Sequence, residues 1–146
     1  MRTVGRHLIA EYYGCDPSIL DDADRIREHL AAAAKTAGAA IVGEAYHRFS
    51  PRGVTAVVLI AESHLSIHTW PARGYVAVDI FTCGGLDPQP ACDYLGEVLE
   101  AETTRSQVIL RGLPEELDED APLESQDVLV VTRLGKVQPA KGRESG

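Results

Sequence analysis

The chain has 146 residues, 45% hydrophobic and 25% charged, with a formal net charge of −8 and a pI near 5.0. That length suits one domain with a sizeable core, and the acidic balance argues against nucleic acid while suiting a small cationic substrate. Cys15, Cys83 and Cys92 show no paired spacing, so neither a disulfide framework nor a zinc site is expected. There is no leader-like apolar segment and no run near the ~20 residues of a membrane span, so no membrane association and a cytoplasmic setting are expected.

Thr3 to Tyr12 mixes polar and apolar residues before Gly14 and predicts a strand. Asp16-Pro17 and Asp21-Asp22 supply helix-start chemistry, and Ile26, Leu30, Ala33, Ala34 and Ala37 recur at helical spacing up to Gly38. Ala39 to Phe49 reads as a strand, Ser50-Pro51-Arg52-Gly53 as a turn, and Val54 to Ala61 as a deeply buried strand. Ser63 to Thr69 is extended, Pro71 to Gly74 turns, and Tyr75 to Phe81 is a strand ended by Gly84-Gly85. Within that strand Val76, Val78 and Ile80 point one way, while Ala77, Asp79 and Phe81 point the other. Pro88 to about Ala101 predicts a helix that buries Ala91, Leu95, Val98 and Leu99, and Gln107 to Leu110 a short strand. Glu115 to Glu124, acidic and flanked by Pro114 and Pro122, predicts a loop; Asp127 to Leu134 an edge strand; and the segment from about Gln138 a disordered tail.

Short turns between the middle strands predict an α+β fold: an antiparallel sheet with helices packed on one face, a two-layer sandwich. The other face is left for a second subunit to cover. The folded domain is expected over residues 1–112, with 113–146 as acidic loop, edge strand and flexible tail.

The chemistry concentrates in Glu62-Ser63-His64-Leu65-Ser66-Ile67-His68-Thr69-Trp70-Pro71 and Asp79-Ile80-Phe81-Thr82-Cys83-Gly84. A serine in a strand is ordinarily just polar, but the Ser63 hydroxyl follows the Glu62 carbonyl and can attack it, turning an amide into an ester. Such a step needs an oxyanion donor and a group to move the Ser63 α-proton. His68 is the candidate for the proton, against the plain reading of a sheet histidine. Its face relative to Ser63, five residues earlier, depends on any local bend. His64 reads as structural or supporting, and a His64/His68 metal pair lacks a third ligand. Cys83 is either a small buried residue or a proton donor, and Thr55 either a β-former or a hydroxyl for the oxyanion. Phe49 and Trp70 are core aromatics or a stacking pair for a planar group.

With Gly5-Arg6-His7-Leu8, His47-Arg48-Phe49 and Pro51-Arg52-Gly53-Val54-Thr55, these segments resemble the prokaryotic S-adenosylmethionine decarboxylase family, more closely as far as Gly84 and more loosely to about Leu110. The resemblance implies self-cleavage between Glu62 and Ser63, with Ser63 becoming a pyruvoyl group that serves as the cofactor. It further implies that His68 serves processing, aided by Thr55 where the family has serine. Cys83 is then the catalytic acid, and Phe49 matches an aromatic that stacks on adenine. Family members dimerise and build each active site from both protomers.

One position departs from the pattern. The family reads Trp-Pro-Glu where this chain has Trp70-Pro71-Ala72, and that Glu holds the ribose hydroxyls; Ala72 offers no acceptor. Relatives have moved to arginine or ornithine while keeping the pyruvoyl machinery. The expectation is therefore a pyruvoyl-dependent decarboxylase of S-adenosylmethionine feeding polyamine synthesis. The same chemistry on L-arginine or L-ornithine is the alternative, and an unprocessed binding subunit the remote one. For a guanidinium, Glu11, Glu44 and Asp79 are candidate clamps by charge alone.

Overall fold

The computed structural model describes residues 3–61, 63–120, 128–132 and 137–139. In chain order they form β1 (Gly5–Tyr13), α1 (Pro17–Leu20), α2 (Ala23–Thr36), β2 (Ile41–Arg48), β3 (Val54–Ile60), β4 (Ser63–Trp70), a 3-10 turn (Pro71–Arg73) and β5 (Tyr75–Cys83). Then follow α3 (Gln89–Val98), β6 (Thr103–Arg111), α4 (Pro114–Asp120), β7 (Val128–Thr132) and β8 (Val137–Pro139). The strands make one antiparallel sheet in the order β2-β3-β4-β5-β1-β6-β7-β8. This is the α+β architecture the sequence predicts: α2 and α3 pack together and against one face of the sheet.

Alternation assigns the faces. In β1, Leu8, Ala10 and Tyr12 are fully buried beneath the helices, while His7, Ile9, Glu11 and Tyr13 point to the open face. In β5, Val76, Val78, Ile80 and Thr82 face the helices. The stripe on α2 closes the core from above, with Ile26, Leu30, Ala33 and Ala34 all fully buried. At its end Gly38 takes φ +84° and donates its N–H to the Lys35 carbonyl, a left-handed exit that glycine makes without steric cost.

The structure differs from the sequence expectation in several places. The first helical stretch is two helices, because Asp16 and Asp22 each act as an N-cap, accepting from Ser18 N and Arg25 N. β6 begins at Thr103, earlier than the apolar run suggested, because Thr103 to Ser106 pair with Tyr13 to Ala10 of β1. Pro114–Asp120 is helical where a loop was expected: Pro114 suits a first helical position and Glu115 and Glu116 suit the positive end of the dipole. β7 is covered in turn by β8, so it is not the edge. The expected tail beyond Pro139 lies outside the described residues.

Candidate active site

The open face of the sheet carries cross-strand rows of polar and aromatic side chains, set by the register. His47, Thr55, His68, Ala77 and Glu11 lie side by side across β2, β3, β4, β5 and β1. One step along the strands come Val57, Ser66, Asp79 and Ile9, and beyond them Leu59, His64, Phe81 and His7. At the end of β5, Cys83 faces Gly5 of β1. A side chain at Gly5 would come within 2.6 Å of the Phe81 ring and 2.9 Å of the Thr82 carbonyl, so this close approach requires glycine.

Ser63 opens β4 directly after the β3–β4 hairpin, where it pairs with Ile60. By alternation it shares the helix-facing side of β4 with Leu65, Ile67 and Thr69. Its hydroxyl is buried and has no hydrogen-bond partner among the described residues. A buried hydroxyl left in this state costs on the order of 1–3 kcal/mol. Glu62, the predicted residue before the cleaved bond, lies outside the described residues. Ser63 comes just before the His64–Phe81 pair on β4 and Cys83 just after it on β5, so the two share one end of the sheet. Cys83 is partly buried there.

The other predicted residues gather at the opposite end. Thr55 Oγ1 and His68 Nδ1 are 2.9 Å apart on directly paired positions. Phe49 lies edge-on to His47 at 4.7 Å between centroids, and Trp70 stacks on Tyr75 at 5.0 Å. Both aromatics are 46% exposed, so neither is a core residue. Thr69 ties this end to the helical layer: its hydroxyl accepts from Val54 N at 2.9 Å and donates to the Leu20 carbonyl at 2.8 Å. Ala72 sits in the 3-10 turn just after Trp70.

His68 is five residues beyond Ser63, about 17 Å along a strand at 3.3 Å per residue, and on the opposite face. No bend in β4 brings the two together within one protomer.

Between the two ends lies a cluster that the sequence did not reveal as a unit. His7 Nε2 and His64 Nε2 both donate to Asp79 Oδ1, at 3.2 and 3.0 Å, and Ser66 Oγ donates to Asp79 Oδ2. Arg111 donates to His7 Nδ1 at 3.2 Å, which fixes the His7 proton on Nε2. Phe81 stacks on His7 at 5.2 Å and meets His64 edge-on at 6.1 Å. Burial would raise the Asp79 carboxyl, but its hydrogen bonds from Ser66, His7 and His64 outweigh burial and hold it below the ordinary carboxylate value. His7 and Asp79 both stand in the quoted segments; the missing signal was the strand order, which places β1 beside β5. Among the described residues no group of three or more His, Cys, Asp or Glu side chains is set to hold a metal ion. No described helix is long and apolar enough to cross a membrane.

The fold is a two-layer α+β sandwich with a buried serine hydroxyl, unpartnered among the described residues, at the mouth of a hairpin, and comparison with known proteins gives its family. Residues 6–112 match the family described as S-adenosylmethionine decarboxylase. The chain is 49% identical over 117 residues to the S-adenosylmethionine decarboxylase proenzyme of Caldicellulosiruptor saccharolyticus, covering 80% of this chain and 94% of that one. It is also 49% identical over 118 residues to the proenzyme of the same name from Thermosipho africanus, covering 80% and 91%. Among solved structures it resembles the adenosylmethionine decarboxylase of Aquifex aeolicus, with a TM-score of 0.72 and 41% identity over 80% of this chain and 97% of that one. The chain belongs to the S-adenosylmethionine decarboxylase family.

Proposed function

We propose that this decarboxylase-family chain processes itself at Glu62–Ser63, makes a pyruvoyl group from Ser63, and decarboxylates S-adenosylmethionine to feed polyamine synthesis. The observation that carries this is the buried Ser63 hydroxyl with no hydrogen-bond partner among the described residues. Its lone pairs are unspent, at the first position of a strand that leaves a tight hairpin. Ser63 Oγ adds to the Glu62 carbonyl carbon and the peptide C–N bond breaks, leaving an ester. Loss of the Ser63 α-proton then expels the Glu62 carboxylate and gives a dehydroalanine. Water replaces its nitrogen, ammonia leaves, and the second chain begins with pyruvoyl. That group supplies an electrophilic carbonyl for the substrate's α-amine, and so an electron sink for the departing carboxylate.

The remaining work falls to side chains. His68, steadied by the Thr55 hydroxyl, moves the processing proton, and Cys83 returns a proton to the carbon that loses carbon dioxide. Phe49 and Trp70 offer open ring faces to a planar group such as adenine. These residues occupy two ends of one protomer, so a working site takes one end from each of two. A two-fold partner laid antiparallel over the open face sets the Cys83 end of one protomer, where β4 begins at Ser63, over the Thr55–His68 end of its mate. Ile9 and Leu59, 39% and 48% exposed on that face, support such a cover.

One residue favours a second substrate. Ala72 offers no acceptor where the family holds ribose, which favours L-arginine or L-ornithine. Carbon dioxide release from carboxyl-labelled S-adenosylmethionine, arginine and ornithine, each offered alone, decides between them. Intact mass of the same preparation is expected to show two chains, the second starting at Ser63, while Ser63→Ala gives one uncleaved chain without activity. A wild-type chain that stays whole and releases nothing would leave an unprocessed binding subunit.

A further inference from the structure

We infer that Glu11 is the specificity-determining carboxylate that holds the far end of the substrate, the end bearing paired N–H or O–H donors. This rests on the proposed decarboxylase activity and deepens it. Three carboxylates have the charge for the task, and the structure separates them. Glu44 lies on the helix side of β2, where Arg27 donates to it at 2.9 Å. Asp79 already accepts from Ser66, His7 and His64. Glu11 is on the open face, in the same cross-strand row as His68 and Thr55, with only Ala77 between.

Three details make that placement usable. The Ala77 side chain is small, so the row has a notch between β1 and β4 of about two strand spacings, roughly 10 Å from backbone to backbone. Tyr75 roofs one side of the notch and donates its hydroxyl to Glu11 Oε2, aiming the carboxylate. Tyr75 in turn stacks on Trp70 at 5.0 Å and on Tyr13 at 5.7 Å, so the aromatic wall and the carboxylate form one rigid unit. Burial, then the bond to Glu11, pushes the Tyr75 hydroxyl up to about 12, so it stays a donor to Glu11. Among the described residues Tyr75 alone donates to Glu11, which leaves an oxygen for a ligand. Arg105, paired across from Glu11 on β6, lies on the far side from the notch. A carboxylate oxygen accepts from a ribose hydroxyl, a guanidinium or an ammonium, most strongly from the charged donors, and Ala72, in the turn next to Trp70, adds no side-chain acceptor.

The test is Glu11→Gln, which keeps an acceptor for Tyr75 but removes the charge, beside Tyr75→Phe and the double change Glu11→Gln/Ala72→Glu. Intact mass first establishes that each variant is cleaved at Ser63 like the wild type. KM and kcat are then measured for whichever of S-adenosylmethionine, arginine and ornithine the wild type consumes. Glu11→Gln is expected to raise KM about tenfold or more with kcat changed less than about threefold. The same variant should leave the KM of a truncated amino acid lacking the far donors nearly unmoved, and Ala72→Glu should recover much of the loss for a diol. A KM within about twofold of wild type in cleaved Glu11→Gln, or an equal rise for the truncated analogue, would overturn the assignment while the decarboxylase stands. Failure of the wild type to consume any of the three overturns the activity and the assignment together.

Discussion

Asp79 holds together the middle of the open face, and its environment predicts how the fold responds to acid. Its carboxyl is held below the ordinary value because three side chains donate to its charged form. A depressed folded-state pKa gives stability that is fully present above the unfolded value, about 3.9. That stability is lost as pH falls through the folded value. Chemical denaturation of wild type and Asp79→Asn between pH 3 and 7 should therefore show the variant less stable at neutral pH, with the gap closing as pH drops below about 4. A constant gap would mean that charge is not what the three donors satisfy. Thr55 supports a companion prediction. Thr55→Val keeps the shape and removes the hydroxyl beside His68, so the appearance of the Ser63-started chain, followed by mass, should slow about tenfold or more, and Thr55→Ser should restore it.

At the scale of elements, the helices cover the strand pair that flanks the proposed cleavage position, and that cover has a weak point at its start. α2 packs on β2, β3 and β4, and its first turn is capped by the Asp22 carboxylate, which accepts from Arg25 N at 3.1 Å. Asp22→Ala should cost about 1 kcal/mol in thermal or urea unfolding, and Leu30→Ala, in the fully buried stripe, about 2–5 kcal/mol. These elements were largely legible in the sequence because their signals are local: apolar spacing for α2, alternation for β5, and proline with glycine at the turns. The split at Asp21-Asp22 was legible only in part, since two acidic caps in succession read as one helix start. β6 was read short because Thr103 to Arg105 carry no apolar signal of their own; they are strand only through β1. The site divides the same way. Ser63, His68 and Cys83 stood out within contiguous motifs, whereas the partners of Asp79 come from β1 and β4, and β1 is far away in sequence. Such a grouping follows from strand order, which no local pattern encodes.

For the whole molecule, the decisive point is that the two ends of the sheet carry different halves of the proposed chemistry. Ser63 and Cys83 close one end, and Thr55, His68, Phe49 and Trp70 crowd the other, about 17 Å away along β4. Under that proposal a protomer acting alone could not apply both halves to one small substrate, whereas two protomers related by a two-fold axis would make two complete sites. This arrangement predicts complementation. Cys83→Ala spoils the cleavage end and leaves the other intact; Phe49→Ala/Trp70→Ala does the reverse. Each homodimer then has two defective sites. A heterodimer has one site with both defects and one with neither. Unfolding and refolding an equal mixture, or coexpressing the two chains, should restore about a quarter of wild-type turnover, because half of the dimers are mixed and each has one good site. Size-exclusion chromatography and differently tagged chains would establish that mixed dimers formed. Mixed dimers without recovered turnover would place each site within one protomer, and the sheet would then have to bend far from its observed register to bring His68 to Ser63.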